Sequence, residues 1–570
     1  FANDKEKFDK KKNIVNHYTN LSFNIKNHFK NCNEIYDKIL IDLIKEFNRC
    51  FKKNYSLKSG HLIFGFWLQR LIRICYDRYQ LLNIAFKYHE IDEVKILNTK
   101  NFNFASEKSS EIIQLSSDPD WNYAISSALI EYFELHKKIF KYDKLIDKKK
   151  KDINLRENFK INFFKELVIN SFQFFNLFCT KRSSIVCDTY LPFFLEKLLQ
   201  IKLDGIPQAW NFNYSISKKF DLNKRKKITL LNSQKLDGKD KDLESFIRLI
   251  IPNCIPISLF EECEDILELT KKYPRKPRKI ISATKFDSND LFKFYSANKL
   301  EEGTIIISGQ HGNGSFLLPE SKYIPDYRFS DYYYTWGNKS NKNFLPLFNI
   351  NIVNKRKIKS SKKKLTIFTT SYGFNQCLYD KQALNYDNVN FIKKLLLSLP
   401  KNIKSELILK KHNLYGLDCH KFLDKQYNKL QIEKTSGESF SDMLRMSKLN
   451  LYLYNSTGIL DCLALNQPVI FYLKKSSNVF SDEFENKLKT FKDANIFFDN
   501  SEELKNHIIK VWDNVERWWK NPSIQETIAS FNENFNKKFN KKLFNNFCSQ
   551  IKDLKNNSLN NQIDKTYTLR

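Results

Sequence analysis

The sequence lacks any run of about 20 apolar residues, the length a membrane-spanning helix needs. Its best approach, Leu62 to Trp67, is cut off by Gln69, Arg70 and Arg73. The opening stretch, Phe1 to Asn13, is charged and has no apolar segment, so no signal peptide is expected. The eleven cysteines contain no CxxC and follow no spacing pattern. That argues against a disulfide framework and for reduced thiols in a cytoplasmic protein. Cys419 and His420 lie near Asp418 and His412, but one sulfur at that spacing fits no zinc pattern, and no metal site is expected. Internal repeats are absent. Glycine is scarce, with 13 in 570 residues, so a place where glycines gather carries information.

Acidic residues are in deficit: 64 against 95 basic ones, a net charge of +31. Three explanations compete. The excess lysine can bind nucleic acid, dock on an anionic membrane surface, or simply solvate a protein whose Lys, Asn, Ile and Phe are all heavily used. The lysines spread along the whole chain and no recognition module accompanies them, so nucleic acid ranks last. Apolar residues make up 42%, enough for a folded core despite the charge.

Periodicity divides the chain. Residues 1–178 read as helical: apolar positions recur at Ile35, Ile39, Leu40, Leu43, Ile44 and Phe47, and a second helix covers His61 to Ala85. Asp118-Pro-Asp-Trp121 has the form of a cap and helix start, which accounts for its D-x-D triplet without a metal. Lys144 to Lys151 is a charge run. From residue 179 short β-rich runs alternate with helices. Strands are predicted at Ser183–Tyr190, Lys227–Leu231, Lys279–Ala283, Thr304–Ser308 and Asp331–Trp336, with a helix from Asp287 capped by Asp287 or Ser288. Polar Asn338–Lys364 reads as a connection. Beyond it strands at Leu365–Thr370, Glu406–Lys410, Asn450–Leu453, Pro468–Leu473 and Asn495–Phe498 alternate with helices, which implies a parallel sheet covered on both faces. The predicted layout is a helical region 1–178, a Rossmann-like domain 179–345, a connection 346–364, a second Rossmann-like domain 365–549 and a polar tail 550–570.

Ligands of such sheets bind at the carboxyl ends of strands, and the chemically distinctive residues gather there. Gly309-Gln-His-Gly312, with Gly314, follows a buried strand; glycines let backbone N–H groups approach an anion, and His311 faces whatever binds. An ordinary turn histidine is the alternative. Lys410-Lys411-His412 places two cations and an imidazole at a strand end, suited to a phosphate or else a solvated basic loop. Asn455-Ser456-Thr457-Gly458 puts hydroxyls at a helix start, an anion site by construction; capping alone explains one hydroxyl but not the cluster.

The trio His311–Gly312, Lys410-x-His412 and Ser456–Thr457 before a helix resembles that of GT-B enzymes with cytidine-activated donors: bacterial sialyltransferases and polysialyltransferases, Kdo transferases of capsule synthesis, and glycerophosphotransferases of teichoic acid synthesis. Their His-Pro motif falls on His412, with Asn413 in place of proline. Their Ser-Ser/Thr motif falls on Ser456 and Thr457, and their helix glutamate on Asp461. A resemblance over nearly the whole chain is to a family of transferases encoded in O-antigen and surface-carbohydrate gene clusters. Its marks are Gly65-Phe-Trp-Leu68, Tyr76-Asp-Arg-Tyr79, Asp120-Trp-Asn122, Gln310-His-Gly312, Asp331 to Gly337, and Asn455-Ser-Thr457 through Gln467-Pro468.

The resemblance implies an α/β, GT-B-like fold, two Rossmann-like domains facing a cleft behind a helical extension. It implies metal-independent transfer of a sugar from a nucleotide-activated, CMP-linked donor to a glycan or lipid-linked glycan acceptor, without a cofactor. His412, Lys410, Asn455, Ser456, Thr457 and Gly312 would hold the nucleotide phosphate, and His311 or Asp331 would take the acceptor proton. The expected place is the cytoplasm or the inner face of the membrane. The same phosphate site would serve a polyol-phosphate transferase, and a non-catalytic carbohydrate-assembly protein is the remaining alternative.

Overall fold

The computed structural model describes residues 25–100, 102–142, 172–230, 242–312, 324–353, 363–370, 386–412, 433–434, 440–473 and 482–554. Lys144–Lys151, Gly314, Asp418, Cys419 and His420 lie outside the described residues. The chain opens on a helical hairpin, α1 (Ile25–Phe51) and α2 (Leu57–Tyr88). Ile39, Leu40, Leu43, Ile44 and Phe47, spaced as one helical stripe, are all buried. α3 (Pro119–Phe133) starts as predicted, with Asp118 accepting from the Trp121 amide at 2.8 Å. Around it pair two short parallel strands that periodicity does not reveal, β1 (Val94–Leu97) and β2 (Ile139–Tyr142). Several family marks are structural here: Arg78 bonds both Asp77 and Asn122, while the Asn122 carboxamide donates to the carbonyls of Ser116 and Asp118.

The first sheet is parallel and follows chain order: β3 (Ile185–Val186), β4 (Lys279–Ile281), β5 (Ile305–Gly309), β6 (Tyr332–Thr335) and β7 (Phe344–Pro346). Successive residues of a strand face opposite sides. Ile185, Ile280 and Ile306 therefore point into one core with α1 and α2, while Val186, Ile281 and Ile307 point into another. The helical region is thus the cover of one sheet face. The second face is covered by α4 (Phe193–Asp204) and by helices from the far end of the chain. Three expectations change. Residues 227–230 form no strand: Ile228 and Leu230 are buried, but the Thr229 amide donates to Glu46 and the Lys227 carbonyl accepts from Arg49. Side chains of α1 supply the bonds a strand neighbour would have made. The stretch read as a connection from Asn338 contributes β7. The helix predicted from Asp287 begins later, as α5 (Asp290–Glu301), capped by Asn289.

The second sheet has strand order β10-β9-β8-β11-β12-β13 and is also parallel, with β8 (Lys364–Thr370), β9 (Leu407–His412), β10 (Glu433–Lys434), β11 (Ser447–Tyr452), β12 (Val469–Tyr472) and β13 (Phe497–Phe498). The chain winds outward from β8 in one direction and then from β11 in the other, which is the doubly wound order with its switch point between those two strands. Leu365, Ile367, Leu449, Leu451 and Ile470 face one core. Phe368, Ile408, Tyr452, Val469 and Phe471 face the core that the first sheet also uses. The architecture is α/β and GT-B-like, with a helical start.

What joins the sheets is the return of the chain. After β13 the helices α8 (Pro522–Phe535) and α9 (Lys541–Asp553) run back to the first sheet, where Phe547 meets the Tyr334 ring and the Lys537 amide donates to the Trp336 carbonyl at 2.7 Å. At the junction Asn349, fully buried, donates to Asp461 Oδ1 at 3.0 Å and to Asn536 Oδ1 at 2.9 Å, and its backbone amide donates to the Lys537 carbonyl. Asp461 lies in α7 (Thr457–Ala464). Losing one partner of a buried polar network strands the others without solvent. Asn349→Ala should therefore lower stability by about 2–4 kcal/mol in denaturant titration; a loss below about 0.5 kcal/mol, the level of a surface change, would remove the network from the list of things that hold the sheets together.

Candidate active site

The carboxyl ends of the strands form two rims. On the second sheet, the loop after β11 leads into α7. Ser456 caps that helix, its Oγ accepting from the Gly458 amide at 3.1 Å. Glycine is required at 458, because a Cβ there would stand 2.4 Å from the Tyr452 hydroxyl. The first turn of α7 therefore sits directly on β11, so the helix starts at the carboxyl end of a switch-point strand. Asn455 is buried at the start of this turn. On the other side of β8, Lys410 and His412 fall within β9 itself, where their Cα atoms pair with those of Phe368 and Thr370. The strand thus runs further than the sequence predicts. Two strand spacings, about 10 Å, separate the β9 and β11 ends.

On the first sheet, β5 runs into Gly309-Gln310-His311-Gly312. A Cβ on Gly309 would lie 1.9 Å from the Tyr334 ring, so only glycine lets β5 pass. Gln310 is buried and fastens the loop: its amide donates to Tyr334 O, its Oε1 accepts from the Trp336 amide at 2.8 Å, and its Nε2 donates to Gly312 O at 2.9 Å. His311 is left exposed. Its ring stacks on Tyr190, 5.8 Å between centroids and 16° between planes. Tyr190 belongs to a loop that the sequence predicted as strand. Asp188 and Tyr190 there have φ of 48° and 63°, left-handed values that cost energy outside glycine. The loop is held by Lys285 on Asp188 at 2.6 Å, by Glu196 on the Thr189 hydroxyl at 2.7 Å, and by the Tyr334 hydroxyl on the Thr189 carbonyl at 2.9 Å.

The two rims touch. A Cβ on Gly312 would meet Thr457 Oγ1 at 3.2 Å. The loop carrying His311 therefore lies against the first turn of α7, and the sequence motifs at 310–312 and 455–458 share one cleft. Asp331 does not join them. It precedes β6 beside the amino half of β5, where its amide donates to Ile306 O, its Oδ2 accepts from the Ile306 amide at 2.8 Å and its Oδ1 accepts from Lys58 at 2.5 Å. His311 is at the opposite end of β5, about 15 Å away at the rise of a strand. Asp331 ties α2 to the sheet and is too far from His311 to share its chemistry.

Two carboxylates that the sequence did not assign to the site lie near the carboxyl end of β5 instead, one bonded to Ser308 and one within reach of the His311 charge. Arg70 of α2 makes a two-pronged bond to Asp287, at 2.6 and 2.7 Å. Burial pushes the Asp287 carboxyl up, yet Arg70, with Lys293 and His311 adding to it, holds the group below its ordinary value. Asp326, in the short helix α6 (Pro325–Phe329), is 4% exposed and accepts from the Ser308 hydroxyl. Burial raises it to about 7, against the Ser308 bond and with the Asp287 charge adding to the rise. Arg70 did leave a trace in the sequence, as a break in the most apolar stretch of the chain. A cavity of about 940 Å³ lies elsewhere, near Tyr55, Asn298 and Glu301; Glu301 is already bonded to Ser56 and Ser59. Among the described residues no three His, Cys, Asp or Glu side chains converge as metal ligands would.

A carboxyl raised in the folded state stabilises the fold while protonated. That contribution is complete below the unfolded value of about 4 and is lost as pH rises through about 7. Asp326→Asn cannot ionise. Its melting temperature relative to the unsubstituted protein should therefore rise between pH 5 and pH 8 by scanning calorimetry. An unchanged difference would show that Asp326 does not titrate in that window.

No curated protein matches the chain. Among solved structures, WaaG, a glycosyltransferase involved in lipopolysaccharide biosynthesis, is similar over 51% of this chain and 94% of its own, at 11% identity and a TM-score of 0.27. The glycotransferase of kitacinnamycin is similar over 55% of this chain and 88% of its own, at 9% identity and a TM-score of 0.29. The family model described as LIC12162 family transferase matches residues 2–545. The resemblance to a transferase family holds over these residues, and the chain belongs to the LIC12162 family of transferases.

Proposed function

We propose that the protein is a glycosyltransferase that moves a sugar from a nucleotide-activated donor, CMP-linked by the resemblance of its motifs, to a glycan or lipid-linked glycan of the cell surface. The observation that carries this reading is the closeness of Gly312 to Thr457: it brings the loop of an exposed imidazole on one sheet to a helix start at the switch point of the other, the kind of place where anions bind. The nucleotide would lie on the second sheet. Asn455, Ser456, Thr457 and the positive end of α7 would take the phosphate from one side, Lys410 and His412 from the other. Such donors, fixed before reaction, stabilise charge as it develops on the leaving phosphate, so the chemistry asks for no metal and no further cofactor. His311 would remove the acceptor proton. The nearby Asp287 charge favours the imidazolium that results, and Arg70 keeps that carboxylate ionised.

In this scheme His311→Ala and His412→Ala each abolish transfer while the melting temperature and monodispersity stay those of the unsubstituted protein. Full activity in either variant removes that residue from the mechanism. Binding is tested by thermal shift with CMP, CDP, UDP, GDP and dTDP, with and without EDTA. A nucleotide at a hundredfold excess over its Kd stabilises the fold by about 2.7 kcal/mol. Stabilisation by CMP or CDP that EDTA leaves unchanged is the expected result. A preference for UDP, GDP or dTDP would discard the cytidine donor and keep the reaction class.

A further inference from the structure

Outside the cleft, the most unusual surface is an aromatic ridge beside α4. The last residues before β3 form a helical turn ending in a 3-10 segment, Asn176–Phe178. Its rings join those of α4 in an unbroken series: Phe193 to Phe172 at 5.3 Å, Phe172 to Phe175 at 6.0 Å, Phe175 to Phe174 at 6.3 Å, Phe174 to Phe178 at 5.6 Å. Leu177 is 76% exposed and Phe194 73% exposed, and Phe174, Phe178 and Phe193 are about half exposed or more. The ridge is anchored to the fold. Asn176 exchanges bonds with Ala209 in both directions, at 2.9 and 3.0 Å. Lys197 bonds the Gln208 carbonyl and stands 5.4 and 5.2 Å from the Phe172 and Phe193 rings.

Its surroundings are basic. Lys181, Arg182 and Lys202 are exposed next to it in the chain. Backbone bonds from Lys276 to Lys181 and from Arg278 to Arg182 bring in two more exposed cations. Three acids of this stretch are engaged: Glu196 with Thr189, Asp204 with the Ser184 amide, Asp188 with Lys285. Tyr190, three residues before Phe193 in the chain, stacks on His311, so a short stretch of chain joins the ridge to the cleft. Exposed phenylalanines within a cationic rim suit a lipid interface with anionic headgroups. A second copy of the chain suits it less, because a two-fold contact would set each basic rim against its own image.

We propose that this ridge docks the protein on an anionic lipid bilayer, with the phenylalanines in the headgroup layer and the basic rim on the phosphates. The surface stands on exposure and charge alone. That it also presents a lipid-linked acceptor to His311 rests on the proposed function. The test is cosedimentation of the full chain, without nucleotide or acceptor, with phosphatidylglycerol-containing vesicles and with pure phosphatidylcholine vesicles. Binding should require phosphatidylglycerol and weaken with salt. It should fall about tenfold or more in Leu177→Asp/Phe178→Asp and in Phe194→Asp, and also in Lys181→Glu/Arg182→Glu, with melting temperatures unchanged. The proposal is overturned by absence of binding to phosphatidylglycerol vesicles, by ridge variants that bind as well as the unsubstituted chain, or by a dimer in solution that these variants make monomeric. Because thermal shift by nucleotide is measured separately, loss of vesicle binding with nucleotide response retained, and the reverse, tell the two readings apart.

Discussion

The carboxamide of Asn349 is the constraint on which the rest of the molecule depends. It is buried where the first sheet ends and bonds Asp461 of α7 and Asn536 of the returning chain. The Asn536 side chain in turn donates to the Leu460 carbonyl at 2.7 Å. A carboxamide with both ends engaged has little freedom to slide, and leaving any of these groups unpaired in the dry interior is costly. Apolar packing alone does not give such a position. The core shared by both sheets would tolerate small shifts of one against the other, whereas the directional bonds around Asn349 do not. Through α7 they set the height of Thr457, and so its contact with Gly312.

The cleft that results is built by glycines and strained turns as much as by reactive groups. Gly309 and Gly458 each sit where any side chain would collide with a tyrosine of the adjoining strand. The left-handed residues Asp188 and Tyr190 hold a ring flat on His311. Near the carboxyl end of β5 stand two carboxyls in opposite environments: Asp287, kept ionised by Arg70, and Asp326, buried and inclined to hold its proton. Divergent surroundings for neighbouring acids are a mark of functional sites. Here Asp287 is close enough to the exposed His311 for their charges to interact.

The large positive charge takes on a place in this arrangement. Spread along the chain, it resembles general solvation. Beside α4 it borders an apolar ridge, the surface proposed to dock on lipid. No helix among the described residues is long and apolar enough to cross a membrane, and a docking surface of this kind needs none.

The sequence by itself determined what depends on near neighbours. The stripe of α1, the Asp118 cap, the strands of the second sheet other than β10 and the turn at Ser456 follow from spacing and local hydrogen bonds, and the motif residues stood out in the sequence because they gather at strand ends. What only the tertiary structure decided is which distant groups meet. Asp331 and His311 are close in the chain and flank the same pair of strands, yet a parallel sheet puts them at opposite ends. Asp287 has the look of a helix cap, but Arg70 of α2 claims it and Asn289 takes the cap. Ile228 and Leu230 have a strand's composition, and α1 satisfies their backbone instead. Phe344–Pro346 and the returning helix Lys541–Asp553 complete the first sheet from beyond the residues that seemed to end it. In each case the deciding partner lies far along the chain, and local periodicity carries no record of a bond that forms only when the fold closes.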